Sequence, residues 1–356
     1  MLYLHKTKFV QIRYLLKYLT VCCLLLTAVF SWAERQLRVV FYNTENFFDC
    51  KDDSLTRDED FLPGGSYAWS PKRFLQKTEQ LARVLAVAGE ESFPHLVGLA
   101  EVENEDCLQF LLRASSLKNA AYRYIYAESA DPRGIDVCLL YNRFVFKPLA
   151  WESIRPSFSD ENKKSRDILY VNGLLPNEQV LHVFVCHLPS RYGGVKASEK
   201  FRRQAAGQLR ARVDSLFSKE PNALILIMGD FNDEPCDLSL SRDLGARNPQ
   251  EPYQPAALYN MMWPLMNKPA YGSHKYQGRW LMIDQIIVSS ALLYEEPLQQ
   301  ESPPIRRLSG AKVRFDDFLL VKDEKYLGYK PFRTYEAYRY IGGYSDHLPV
   351  CLDIPF

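Results

Sequence analysis

Long uninterrupted apolar runs dominate this chain. Leu37-Arg38-Val39-Val40-Phe41-Tyr42, Val180 to Cys186 and Ala223 to Met228 lack the alternation of half-exposed strands. They read as strands covered on both faces, in the middle of sheets. Helical spacing stands between them. Ser70 followed by Pro71 supplies an N-cap with proline at the first helical position, and Phe74, Leu81, Val84 and Leu85 then predict a helix over about 71–88. A second helix over about 197–217 carries Phe201, Ala205, Leu209, Val213 and Leu216 on one face. Arg202, Arg203, Arg210 and Arg212 are expected largely on its solvated side. Elsewhere strand follows strand directly, over Tyr122 to Ala127, Ile135 to Tyr141 and Phe144 to Leu149, which exceeds a simple strand-helix alternation. Two packed mixed sheets with outer helices fit this pattern.

The first 33 residues carry a different pattern: Lys6, Lys8, Arg13 and Lys17, an apolar run from Leu19 to Phe30, then Ser31-Trp32-Ala33. This is the layout of an export signal cleaved after Ala33. The apolar run is shorter than the ~20 residues that span a bilayer. Cys22 follows Val21, where a lipid-attachment signal would want a small residue. The expected location is therefore the periplasm or the cell exterior. Residues 34–356 contain no repeat, linker or low-complexity tract and read as one domain.

Apolar residues at 47% support a large core, while a formal charge of +1 leaves no basic excess. Any nucleic-acid contact must rest on a local patch. The cysteines after the signal, at 50, 107, 138, 186, 236 and 351, are even in number and would sit in an oxidising compartment. Cys138, Cys186 and Cys351 nevertheless fall in strand-like runs, where a buried thiol is the better expectation than a disulfide. No Cys-x-x-Cys pair suggests zinc.

Polar clusters stand at the C-terminal ends of the apolar runs: Asn43 with Glu45 and Asn46, Glu101, His187, Asp230 with Asn232, and Asp346 with His347. A catalytic centre collects side chains from several strand ends in this way. Asp230 and Asn232 alternate onto one side of the chain, where the carboxylate aligns or deprotonates a water and the amide donates to a phosphate oxygen. A tight turn would use the same residues. Glu101 is a hard oxygen donor suited to magnesium or manganese. His187 precedes Arg191-Tyr192-Gly193-Gly194, a segment able to clasp phosphate. Asp284 lies inside an apolar run, where a carboxylate needs a partner. It is the best candidate to orient His347. His95 and His182 read as structural imidazoles, and the role of His274 stays open.

The ordered series Phe41-Tyr42-Asn43, Glu101, Arg133-Gly134-Ile135-Asp136-Val137, His187-Leu188, Gly229-Asp230-Phe231-Asn232, Ile283-Asp284 and Ser345-Asp346-His347 resembles the endonuclease/exonuclease/phosphatase superfamily, in its secreted bacterial nuclease-like branch. The resemblance implies a DNase I-like four-layer α/β/β/α sandwich with its site at one rim between the sheets. It implies metal-end roles for Asn43, Glu101 and Asp346, and catalytic roles for His187, Asp230, Asn232, Asp284 and His347. Glu45, Arg133, Asp136, Arg191 and His274 complete the set as substrate-binding candidates. Glu45 stands where many relatives carry aspartate, and Ala100 where glutamine is common.

The implied activity is Mg2+- or Mn2+-dependent hydrolysis of phosphodiesters by in-line attack of water, with DNA or RNA as the expected substrate and a monomer as the expected state. No protein partner is evident. One alternative is a sphingomyelinase-like or small-molecule phosphodiesterase or phosphatase, for which Trp69, Trp151 or Trp263 could meet a membrane at the rim. Another, of a different class, is a catalytically silent binding or toxin-subunit protein. The segment from about Glu295 to Lys330 reads as an insertion near the site.

Overall fold

The computed structural model describes residues 36–295, 305–306 and 308–356; the expected export segment 1–33 and part of the 295–330 segment lie outside the described residues. Chain order brings β1 (Gln36–Phe47), helix α1 (Pro71–Ala88), β2 (Leu96–Val102), helix α2 (Glu105–Arg113), β3 (Tyr122–Tyr126) and β4 (Asp136–Asn142). β1 and β2 pair in parallel, β4 runs antiparallel to β2, and β3 lies beyond β4. The strand Val350–Pro355 on the other side of β1, with Lys312–Val313 beyond it, completes a six-stranded sheet.

The second sheet has seven strands. β5 (Lys147–Ile154), β6 (Ile168–Leu174) and β7 (Val180–His187) run antiparallel, and helix α3 (Val195–Lys219) then crosses to the parallel β8 (Leu224–Asp230). The short strands β9 (Ala246–Arg247) and β10 (Leu258–Asn260) follow, then a hairpin of β11 (His274–Tyr276) and β12 (Arg279–Leu281), and then β13 (Asp284–Ser289). β13 inserts between β8 and β10.

The apolar runs are continuous because both faces of their strands are covered. Phe184, Ile225 and Ile227 pack outward against Ala205, Leu209 and Val213 of α3. On the first sheet, Phe74 of α1 stacks on Phe47 of β1 with ring centroids 5.6 Å apart. Between the sheets, Gly98 of β2 faces Met228 of β8, and a Cβ there would come within 2.8 Å of the methionine sulfur. That close approach makes the layers α/β/β/α, as expected from the pattern. Ser70 caps α1 by accepting from the Arg73 amide, and α1 spans the expected residues.

Some expectations change. The chain turns over 143–146, held by the Asn142 side chain accepting from the Phe144 amide, so the strand expected at Phe144–Leu149 begins at Lys147 and runs to Ile154. Arg202 is fully buried rather than solvated, its Nε 2.7 Å from Asp233. Trp69 is a core residue donating to the Phe48 carbonyl at 2.9 Å, whereas Trp151 is exposed on β5. The cysteines at 50, 107, 138, 186, 236 and 351 are free thiols. His95 and His182 are held as structural groups, by the Arg38 amide and the Tyr170 hydroxyl.

Candidate active site

Sheet register builds the centre. His187 is opposite Asp230 across the parallel β7–β8 pair, and Asp284 is opposite Asp230 across β8–β13, so three polar side chains fall in one row at the ends of adjacent strands. On the first sheet, the β1–β2 register shifts between Asn43 and Phe47, and the β2–β4 register between Ala100 and Val102. Such bulges re-aim side chains. Here Glu101 takes a φ of +63°, and Glu45 and Asn46 each +54°. These left-handed conformations are costly for residues bearing a Cβ, and backbone strain of this kind clusters at functional sites.

The two rows meet through Asn43, whose Nδ2 donates to Asp230 Oδ2 at 3.1 Å and lies 3.4 Å from Glu101 Oε1. The Asn46 amide donates to the other Glu101 oxygen at 2.8 Å. His187 Nε2 lies 3.5 Å from Asp230 Oδ2. His347 reaches in from the loop before the last strand, its Nδ1 2.7 Å from Asp284 Oδ2 and its Nε2 3.8 Å from Asp230 Oδ2. Ser345 pins that loop by donating to the Asn43 carbonyl at 2.7 Å. Asn232, at φ +52°, donates its backbone N–H to Asp230 Oδ1 and its side-chain amide to the Leu188 carbonyl.

Burial sets the charges apart. It pushes Asp230 up to about 7, against the pull of a charged His347. Burial also opposes a charge on His347, but the bonded Asp284 and nearby Asp230 outweigh it and hold His347 well above its ordinary value. His187 goes the other way: burial, with Arg166, Arg133 and His347, lowers it well below the usual range. The site thus holds one cationic and one neutral imidazole around a carboxyl poised near neutrality. For Asp346, burial is overcome by Arg333 and His347, which bring it down to about 2.

Two groups of side chains bring potential ligand atoms within 4.8 Å of one another: His274, Asp346 and His347, and Asp230, Asp284 and His347. A cationic His347 bonded to Asp284 is a poor ligand. Glu101 is better placed for a hard cation: among the described residues its one basic side chain within 4 Å is His187, at 3.9 Å, and that imidazole is neutral. Glu101 therefore fits a divalent metal, with Asn43 orienting its carboxylate, whereas Asp346 is paired with Arg333 at 3.1 Å.

The remaining candidates spread around this centre. Glu45 is buried beside it, bound by Arg333 Nε at 3.2 Å and the Thr334 amide at 2.6 Å. His274 lies tilted against His347, with 4.6 Å between centroids and 37° between planes, and bonds the Asp346 carbonyl through Nδ1. Asp136 faces inward, holding the Tyr126 hydroxyl and the Ser129 amide. Arg191 is tied to the Asn232 carbonyl, Asp233 and Asp237, so it braces the Asp230 loop. Arg133 is half-exposed in a cleft of about 450 Å³ with Lys163, Lys164, Arg166 and Tyr192.

Sequence reasoning missed three residues. Arg166, buried, donates to the His187 and Leu188 carbonyls and pairs with Asp131 at 3.0 Å, and its only signal was the basic run Lys163-Lys164-Ser165-Arg166. Lys77, fully buried in α1, donates to Thr334 Oγ1 at 2.6 Å and the Tyr344 carbonyl. Arg333 bridges Glu45 and Asp346, lying 3.2 Å and 3.1 Å from them. Nothing in the local sequence of Lys77 or Arg333 separates them from surface cations.

Comparison with known proteins gives this rim its context, since the Endonuclease/Exonuclease/phosphatase family matches residues 38–355, from the start of β1 to the end of the last strand. The chain belongs to this family. It is accordingly a metal-dependent hydrolase of phosphoric ester bonds. No curated protein matches the sequence. Among solved structures, a Bacteroides thetaiotaomicron mannosyl-6-phosphatase is similar with a TM-score of 0.56 and 16% identity, covering 90% of this chain and 100% of that one. D. rerio TDP2 complexed with single-strand DNA product gives a TM-score of 0.52 at 17% identity, over 91% of this chain and 100% of that one. The human nocturnin catalytic domain with bound sulfate gives 0.51 at 17%, over 90% and 95%. At these identities the likeness is one of fold, and all three share the DNase I-like architecture of this family member.

Proposed function

We propose that this family member is an exported, monomeric nuclease that uses Mg2+ or Mn2+ to hydrolyse the phosphodiester bonds of DNA or RNA. One observation carries the reading: the cation-lined cleft of Arg133, Lys163, Lys164 and Arg166 adjoins the centre through the bonds from Arg166 to the carbonyls of His187 and Leu188. In a chain of net charge +1, that concentration of cations is a local track for a polyanion.

The side chains divide the work. Asp230, buried and with its proton affinity near neutrality, takes the proton of the attacking water as the new P–O bond forms, while the ester P–O bond opposite breaks and its sugar oxygen leaves as the alcohol with a proton from solvent. His347, held cationic by Asp284, offsets charge building on the phosphate oxygens. His187, neutral at its ring, donates a hydrogen bond there, as does the Asn232 amide. Glu101 would hold the divalent ion, which supplies Lewis-acid neutralisation of the phosphate when bound.

The name of the B. thetaiotaomicron relative supports a second reading, a sugar-phosphate monoesterase. Plasmid DNA, RNA, sphingomyelin and mannose 6-phosphate, each with Mg2+, Mn2+ or EDTA, separate the possibilities when run beside a His187→Ala variant. Metal-dependent strand cleavage lost in the variant is the expected result. Turnover of mannose 6-phosphate or lipid with nucleic acids left intact would replace the nuclease reading.

A further inference from the structure

A second cleft, of about 260 Å³, opens beside Glu45 and Asn46 and is lined also by Phe61, Tyr67, Arg333 and Tyr335. Three of its lining side chains are aromatic and come from two distant segments, and the rest of the lining is largely polar. Phe61 stacks on Phe48 at 4.3 Å and on Tyr67 at 4.6 Å, with interplanar angles of 12° and 20°. Tyr67 meets Tyr335 edge-on at 4.8 Å, and the Tyr335 hydroxyl donates to the Tyr67 carbonyl at 2.9 Å. Tyr338, 67% exposed, lies 5.3 Å from Tyr67 and extends the wall into solvent. The rings are thus fixed in place before any ligand arrives.

Arg333 joins this pocket to the chemistry. It lines the cleft with 40% of its side chain exposed, while Nη2 lies 3.1 Å from Asp346, the residue next to His347. The bonds to Glu45 and Asp346 occupy two of the five guanidinium N–H donors, so donors remain for a phosphate oxygen. Resting on the nuclease reading above, we infer that this pocket stacks the base of the nucleotide flanking the scissile phosphate, with Arg333 holding that phosphate.

A flat ring system flanked by an anion matches fixed aromatic walls with a guanidinium at their edge. Aromatic stacking tolerates every base, so the pocket supplies affinity and position without strong sequence preference.

The test uses the purified protein and a single-stranded oligonucleotide with one cleavable linkage, the others being phosphorothioate. In two further versions, a tetrahydrofuran abasic residue replaces the nucleotide on either side of that linkage. Removing one of the two bases is expected to lower kcat/KM about tenfold, chiefly through KM, in the wild-type enzyme. In Tyr67→Ala, its fold checked by thermal melting, the intact and abasic substrates should be cut equally. Equal cleavage of all three substrates by the wild type would overturn the pocket and leave the nuclease reading standing. If no oligonucleotide is cut, the nuclease reading falls, and titration calorimetry with adenosine 5′-monophosphate against ribose 5-phosphate in EDTA decides the pocket. Tighter binding of the nucleotide supports base stacking, and equal or weaker binding overturns it.

Discussion

Asp284 and His347 show how much of this site is decided one residue at a time. The Asp284 carboxylate, buried at the start of β13, holds His347 Nδ1 at 2.7 Å and keeps the imidazole charged despite its burial. Asp284→Asn keeps the shape but removes the charge that sustains the imidazolium. We expect it to lower kcat by about 10²-fold or more, within the usual range for a positioned acid–base group. KM should change little if His347 acts on charge that develops during reaction. Steady-state kinetics on a defined oligonucleotide reads the split, and a change confined to KM would reassign His347 to ground-state binding. The pairing was legible in sequence because a lone carboxylate in an apolar run demands a partner. The charge of His347 and the neutrality of His187 were not, since both depend on which groups surround each ring.

At the scale of elements, the bulge that turns Glu101 toward Asn43 also buries Glu103 against α2. The Asp49 amide donates to Glu103 Oε2 at 2.6 Å, and burial beside Asp49, Asp58 and Asp53 pushes its carboxyl from 4.5 to about 8. Folded Glu103 therefore keeps a proton that the unfolded chain has released. Its contribution to stability declines as pH rises between those two values and is level outside them. Glu103→Gln retains the acceptor for the Asp49 amide and removes the titration. Thermal melts from pH 4 to 9 should accordingly show a smaller decline for the variant than for the wild type. An equal decline in the two proteins would mean that Glu103 is charged when folded. Glu103 was visible in the sequence only as a competitor of Glu101; burial of one and partial exposure of the other at the strand end separate them.

Over the whole molecule, the proposed nuclease function draws on cations gathered from remote parts of the chain. Arg133 follows β3, Lys163, Lys164 and Arg166 precede β6, and the cleft they share becomes one positive surface only when the two sheets pack. Replacing both lysines, as Lys163→Glu with Lys164→Glu, should raise KM for oligonucleotides severalfold at low salt. It should also reduce the salt dependence of binding by about 1 for each phosphate that the protein no longer neutralises. Binding titrations across a range of NaCl concentrations measure this directly. An unchanged salt slope would place the nucleic-acid track elsewhere.

The local order of residues was enough to specify strands covered on both faces, the capped helix at Pro71 and the polar groups at the strand ends, because these follow from periodicity and capping within a few residues. It also carried the series of motifs by which the family is identified, as each motif is short and its order is kept along the chain. The buried Arg202–Asp233 pair, the bridging Arg333 and the aromatic cleft were settled only by the tertiary structure. Charge, burial and stacking depend on partners brought together across hundreds of residues, and a linear pattern contains no term for those neighbours. Lys77 and Arg333 make the point: identical in kind to surface cations along the chain, they acquire their roles from Glu45, Thr334, Tyr344 and Asp346 once the sheets have closed.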